Sequence, residues 1–135
     1  MALEIKQRVR EGILILDLKG RITVGEEAGI LRAEFGTLAG AANVILNMQQ
    51  VEYVDSTGLG ALVLGFTSLR KRAGRLILEN LTRRNIELLL FTKLTTVFEI
   101  FDDEQDAVNS FFPDREIRRF DILNFVKEQT GQEGM

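Results

Sequence analysis

Neither cysteine nor histidine occurs among the 135 residues. Without cysteine there are no disulfides, thiolate metal sites or cysteine nucleophiles. Without histidine there is no Ser-His-Asp triad, no histidine general base and no His-containing zinc or iron site. Nothing in the remaining pattern calls for a metal or a cofactor. No apolar run approaches the roughly 18 residues of a membrane span. The start, MALEIKQRVREG, lacks the continuous apolar stretch of a signal peptide. The chain therefore reads as cytoplasmic, with no membrane association. A basic excess is missing too: the net charge is −3 with both signs spread along the chain, which argues against direct nucleic-acid binding. Proline occurs once, as Pro113. What is present is ordinary for a folded domain: 45% apolar and 27% charged residues, in a chain long enough to bury about two thirds of its unfolded surface.

Leu3, Ile5 and Val9 alternate with polar neighbours over 3–9, "EG" at 11–12 signals a turn, and "ILILDLKG" (13–20) follows. Together they predict an antiparallel hairpin at a sheet edge. Thr23 with Glu26 fits a capping box ahead of Ala28, Leu31, Phe35 and Leu38 at helical spacing. "NVILNM" (43–48) and "RLILEN" (75–80) have the apolar character of buried central strands. Between them Leu59, Leu62, Val63, Phe66 and Leu69 trace one helical face, closed by Gly74. Ile86, Leu89 and Leu90 mark a short helix. "TVFEIF" (96–101) predicts a last strand, and Asp102 with Gln105 opens a helix bearing Ala107, Val108, Phe111 and Phe112. The order is ββαβαβαβα, which makes the later strands parallel through helical crossovers. The expectation is an α/β fold: one mixed sheet, antiparallel in its first hairpin, with helices packed against it. Pro113 ends the domain predicted over 1–112. Residues 113–135 form an extension, with Ile117, Phe120, Ile122, Leu123, Phe125 and Val126 on an amphipathic C-terminal helix and a frayed end at "TGQEGM". That stripe either folds back on its own domain or, through 115–128, makes a homodimer contact.

The stretch "VEYVDSTGLG" (51–60) concentrates polar and small residues between a strand and a helix. An enzyme reading finds little support. The D-[ST]-G of aspartic proteases does not fit the spacing, "GLG" lacks the third glycine of a dinucleotide fingerprint, and no base can be named for a serine nucleophile. A helix cap is the plain alternative: Asp55, Ser56 or Thr57 each carries an oxygen able to accept from the first-turn N–H groups, and Gly58 permits a tight turn. Two features exceed capping. Three consecutive residues can do the work of one, and the face carrying Gly60, Ala61, Leu64, Thr67, Ser68 and Lys71 is small and partly apolar where solubility would favour Glu, Lys and Gln. Glycine at 60 and 65 also disfavours helix by roughly 0.5–1 kcal/mol each relative to alanine. A bare helix surface beside an exposed hydroxyl reads as a landing site for another protein. The basic clusters "RKRAGR" (70–75) and "TRR" (82–84) read first as solvated faces and second as anion or RNA contacts.

The run "VILNMQQVEYVDSTGLGALVLGFTSLRKRAGRLILENL", with D-S-T-G-L-G at its centre, resembles the signature of STAS domains, specifically bacterial anti-sigma factor antagonists. "TKLTTVFEIFDDEQDAVNSF" resembles their closing strand and helix, so the likeness covers about residues 3–112. The resemblance implies no enzyme but a partner-switching protein. Its serine after the aspartate, here Ser56, is phosphorylated by a serine kinase that is usually the anti-sigma factor itself, with Thr57 the second choice. The unmodified form binds the anti-sigma factor and frees a sigma factor, and a metal-dependent phosphoprotein phosphatase reverses the modification. By the same resemblance Asp55, Ser56, Thr57, Gly58, Gly60, Ala61 and Leu64 belong to the partner-binding surface. Thr23 joins them, at a position where many relatives carry an acidic contact residue. The alternative use of the fold is a phosphorylation-insensitive scaffold in a stressosome-like assembly.

Overall fold

Glu11 and Gly12 both adopt positive φ, 51° and 82°, the two-residue turn whose twist matches that of the strands it joins. It connects β1 (Glu4–Arg10) to β2 (Ile13–Ile22) as an antiparallel pair. The computed structural model describes residues 3–38 and 43–134, with side chains up to residue 128. After the hairpin come α1 (Glu26–Thr37), β3 (Asn43–Val54), α2 (Ser56–Lys71), β4 (Arg75–Glu79), α3 (Arg83–Phe91), a 3-10 turn at Leu94–Thr96, β5 (Glu99–Phe101), α4 (Glu104–Asn109) and α5 (Ile122–Gly134). The sheet order is β1-β2-β3-β4-β5, with every pair after the first parallel. Each crossover thus advances one strand in the same direction. Right-handed crossovers then place all their helices on one face. Accordingly, the main core collects Leu31 and Phe35 of α1, Leu62 and Leu69 of α2 and Leu89 of α3 over Leu16, Leu46 and Leu78 of the sheet. The opposite face holds a smaller cluster, Ile15, Ile45, Ile77 and Phe101 under Ala107 and Val108 of α4. No helix among the described residues is long and apolar enough to cross a membrane.

Several local expectations are corrected. The capping box at Thr23 and Glu26 does not form. The cap position is Gly25, at φ 100°, with no side-chain cap hydrogen bond, because the turn requires a backbone angle that glycine adopts most readily. Thr23 Oγ1 donates instead to Glu27 Oε1 at 3.1 Å. Ala73 rather than Gly74 takes the left-handed position after α2, at φ 60°, and the Gly74 N–H donates to the Leu69 carbonyl at 2.8 Å. Only residues 99–101 of the expected strand 96–101 pair with β4. The preceding backbone is used in the 3-10 turn, where the Phe98 N–H reaches the Leu94 carbonyl. Asp103, not Asp102, caps α4, accepting from the Asp106 N–H at 3.0 Å.

The extension also departs from a continuous helix. Residues 116–121 have no regular structure. The Phe120 N–H donates to the Ile100 carbonyl at 2.9 Å, which ties this segment to the β5 edge. Ile117 packs on the smaller cluster while Phe120 and Ile122 pack on the main core, so the segment wraps the sheet edge from one face to the other. Leu123 and Val126 of α5 remain exposed. The backbone of α5 is helical to Gly134. Residues 130–134 of the end expected to fray are thus described as helix, and Met135 lies outside the described residues.

The sheet face not covered by α1–α3 carries a polar network. Arg8 bonds Asp17 (2.7 Å) and Glu104, Arg10 bonds Glu104 (2.7 Å), and Asn47 Nδ2 donates to Asp17 at 2.8 Å. Inside it lies Glu79, with no exposed surface and neither carboxylate oxygen accepting a hydrogen bond. Burial, then the adjoining Glu104 carboxylate, pushes the Glu79 pKa up, to about 9. The arginines, Arg8 first, hold Glu104 well below the usual range. Glu79 therefore carries the proton and Glu104 the charge.

Candidate functional site

β2 and β3 end side by side, the Asp55 N–H donating to the Ile22 carbonyl at 3.3 Å. The 23–25 turn and the start of α2 are thereby brought together at the carboxyl ends of parallel strands, where sites on open α/β sheets gather. The Asp55 carboxylate joins them. Oδ1 accepts from the Gly58 N–H at 2.8 Å, capping α2, and Oδ2 accepts from the Val24 N–H at 2.9 Å across the junction. The Gly58 N–H first, with help from the Val24 N–H, holds its pKa below the ordinary carboxylate range against the opposing effect of burial. Of the three capping candidates, Asp55 is the cap. Ser56, the first helical residue, is exposed, and its hydroxyl makes no hydrogen bond among the described residues. Thr57 is half-buried.

Gly58 is glycine for a packing reason: a Cβ there would lie 1.8 Å from the Ile22 carbonyl oxygen. Gly65 likewise faces the Phe35 ring, 2.4 Å from where a Cβ would sit. The bareness of α2 at position 65 therefore accommodates α1 and is not a partner surface. Ala61 is corrected in the same way, since it is only 1% exposed. α1 packs on α2 at Gly65, and Gly58 and Ala61 join the buried face of the helix, while Val63 and Phe66 are left half-buried. Gly60 stays open, since a Cβ added there would meet nothing within 4 Å, and Leu64 is 58% exposed. Thr23 is half-buried and holds Glu27 beside the turn.

Two grooves meet at Ser56. One, of about 590 Å³, runs along α2 between Arg32 and Leu94, floored by Thr57, Gly60 and Leu64. The other, of about 270 Å³, lies between the end of β3 and α3, with Tyr53 and Asp55 facing Arg84 and Phe91. The sequence reading missed this second flank. Phe91 is 91% exposed and Val24 67% exposed, and the Arg84 guanidinium lies over the Tyr53 ring, 4.5 Å from its centroid. Phe91 was detectable, because it falls off the Ile86/Leu89 face of its helix. Its position beside Ser56 depends on strand order and was not. Among the described residues no group of three His, Cys, Asp or Glu side chains is arranged to hold a metal ion.

A family profile described as the STAS domain matches residues 4–107. The chain belongs to the STAS-domain family. Within that family it is 34% identical over 109 residues to the anti-sigma-B factor antagonist of Bacillus subtilis (strain 168), an alignment that covers 80% of this chain and 99% of the relative. To the anti-sigma-B factor antagonist of Listeria monocytogenes it is 42% identical over 55 residues, 41% of this chain and 48% of the relative. Its STAS fold is shared by a putative anti-sigma factor antagonist from Thermotoga maritima, with TM-score 0.74 and 21% identity over 78% of this chain and 92% of that one. It is shared as well by the Bacillus cell-fate determinant SpoIIAA in its phosphorylated form, with TM-score 0.62 and 21% identity over 82% of this chain and 99% of that one. This STAS domain has the mixed five-stranded sheet anticipated from its sequence, with only the first pair antiparallel.

Proposed function

We propose that the protein is an anti-sigma factor antagonist switched by phosphorylation of Ser56. Unmodified, it binds an anti-sigma factor that is also a serine kinase, and the sigma factor is released. The kinase transfers the γ-phosphoryl of ATP to Ser56 Oγ, with loss of the hydroxyl proton and departure of ADP, and the complex separates. A phosphoprotein phosphatase hydrolyses the ester and resets the cycle. The observation that carries this reading is the division of labour at the start of α2. Asp55 makes the cap, which leaves the Ser56 hydroxyl uncommitted, exposed and at the meeting point of two open grooves. Thr57 is half-buried and is the weaker acceptor.

The footprint on this reading comprises Ser56, Gly60, Leu64 and Val24 and the exposed flank Tyr53, Arg84 and Phe91, with Ala61 beneath it as packing. Phosphorylation puts about −1.5 to −2 charges at its centre. A group of that charge left desolvated and unpaired across an interface costs several kcal/mol, and ~3–4 kcal/mol is a loss of 100- to 1000-fold in affinity. The exposed position leaves the fold unaffected, so no conformational change is needed. Exposure of Leu123 and Val126 on α5 supports a homodimer through the extension as a separate element.

The test is to incubate the protein with ATP and the anti-sigma factor it binds, then map the modification by mass spectrometry. Phosphate at Ser56 with loss of the complex is expected; phosphate confined to positions other than 56 and 57 would overturn the reading. Sedimentation of the unmodified protein separates this from the scaffold use of the fold: a monomer or dimer is expected, and a large assembly of its own copies would favour the scaffold.

A further inference from the structure

Asp55 makes the start of α2 a poorer place for an anion than a helix N-terminus ordinarily is. Its carboxylate already takes the Gly58 N–H and, across the junction, the Val24 N–H, and it carries a negative charge of its own beside Ser56. A phosphoryl group on Ser56 therefore needs a cation from elsewhere. We propose that Arg84 of α3 is that cation: it leaves the Tyr53 ring and binds the Ser56 phosphate from across the groove. This rests on Ser56 being the phosphate acceptor.

The placement is specific. Arg84 and Ser56 line the same groove of about 270 Å³. The guanidinium is parked on Tyr53, 4.5 Å from the ring centroid, two residues before Asp55 in the chain. Arg84 makes no hydrogen bond among the described residues, which leaves its N–H donors for a planar or tetrahedral oxyanion. Among the described residues Arg84 has no carboxylate partner, whereas its neighbour Arg83 pairs with Glu87 at 3.7 Å. Glu87 lines the groove as well, and that pairing answers its charge. A single ring contact with no hydrogen bond or ion pair is readily exchanged for a doubly charged phosphate. The switch then has two parts. Modification adds charge to the footprint and also turns the Arg84 donors inward to the phosphate, so that they no longer meet the partner. Arg32, in the groove on the other side of Ser56, is the competing cation.

The experiment uses the full chain with phosphoserine encoded genetically at position 56, titrated by 31P NMR. An unpaired phosphoserine has its second pKa near 6, and a neighbouring guanidinium lowers it. Arg84→Gln is expected to raise the phosphate pKa by roughly half a unit or more relative to the otherwise unchanged phosphoprotein. Arg84→Lys should restore part of the difference, while Arg83→Gln and Arg32→Gln should leave it unchanged. An identical titration in Arg84→Gln, or a shift produced by Arg32→Gln instead, overturns the proposal. Because the phosphate is installed without a kinase, the two readings fail separately. A latch seen in a phosphoprotein that still binds the anti-sigma factor rejects the switch. Loss of binding with no effect of Arg84→Gln rejects only the latch.

Discussion

Asp55 and Ser56 are adjacent and divide a helix start between them. The carboxylate satisfies backbone donors on both sides of the junction, and the hydroxyl is left to a foreign active site. Ser56→Ala should keep the fold and bind the anti-sigma factor constitutively, while Ser56→Asp should bind at least about tenfold more weakly, a difference of ~1.4 kcal/mol, read by titration calorimetry. Equal affinity for the two variants would remove the switch. Glu79 provides a test at the same scale that is independent of partners. Its folded pKa is raised above the ordinary glutamate value, so its contribution to stability is fully present below that ordinary value and is lost as pH rises toward about 9. Glu79→Gln keeps the neutral shape and a donor toward Glu104. It should raise stability at pH 8 by on the order of 1–3 kcal/mol and flatten the loss between pH 5 and 9 in urea unfolding. A variant less stable than the parent at pH 8 would show that Glu79 is not protonated in the fold. The sequence offered three residues able to cap α2 and could not choose among them, because each has a suitable oxygen. The choice is made by the 23–25 turn lying opposite. "RLILEN" reads correctly as a buried strand, but the partner of its glutamate is 25 positions along the chain and is set by sheet order.

At the scale of elements, α2 is positioned by what its small residues admit. Gly58 lets it approach the end of β2 and Gly65 lets Phe35 of α1 pack on it, while Gly60 faces open space. The glycines thus separate by substitution. Gly58→Ala should destabilise by about 1–3 kcal/mol or more through overpacking against backbone. Gly60→Ala should stabilise by roughly 0.5–1 kcal/mol while weakening the anti-sigma complex, the first read by thermal unfolding and the second by calorimetry. A Gly60→Ala protein that binds as well as the parent would place the footprint elsewhere. Periodicity identified α2 and most of its buried residues. It turned the helix slightly wrongly because spacing alone registers the sheet and not the second helix that crosses it.

Across the whole molecule, one-directional crossovers put three helices on one face and leave the site at the open ends of β2 and β3, remote from the smaller cluster under α4. The strand and helix order was legible because strong apolar runs alternate with helical periodicity. The course of residues 113–121 was not, because their apolar residues serve two different faces of the sheet and only resemble a helical stripe in projection. A chain ending at Phe112 loses Ile117 and Phe120 and should be about 2 kcal/mol less stable. One ending at Ile122, which keeps all three packed residues of the segment, should unfold nearly as the full chain does, with both compared in urea. Equal stability of the two truncations would show that the wrapped segment contributes nothing to the fold. The central claim is that one exposed hydroxyl lies within the surface a partner must cover. It is tested most directly by measuring the affinity of the anti-sigma factor for the unmodified protein and for the protein carrying encoded phosphoserine at 56. The account predicts a loss of 100-fold or more with the fold unchanged, and equal affinities would contradict it.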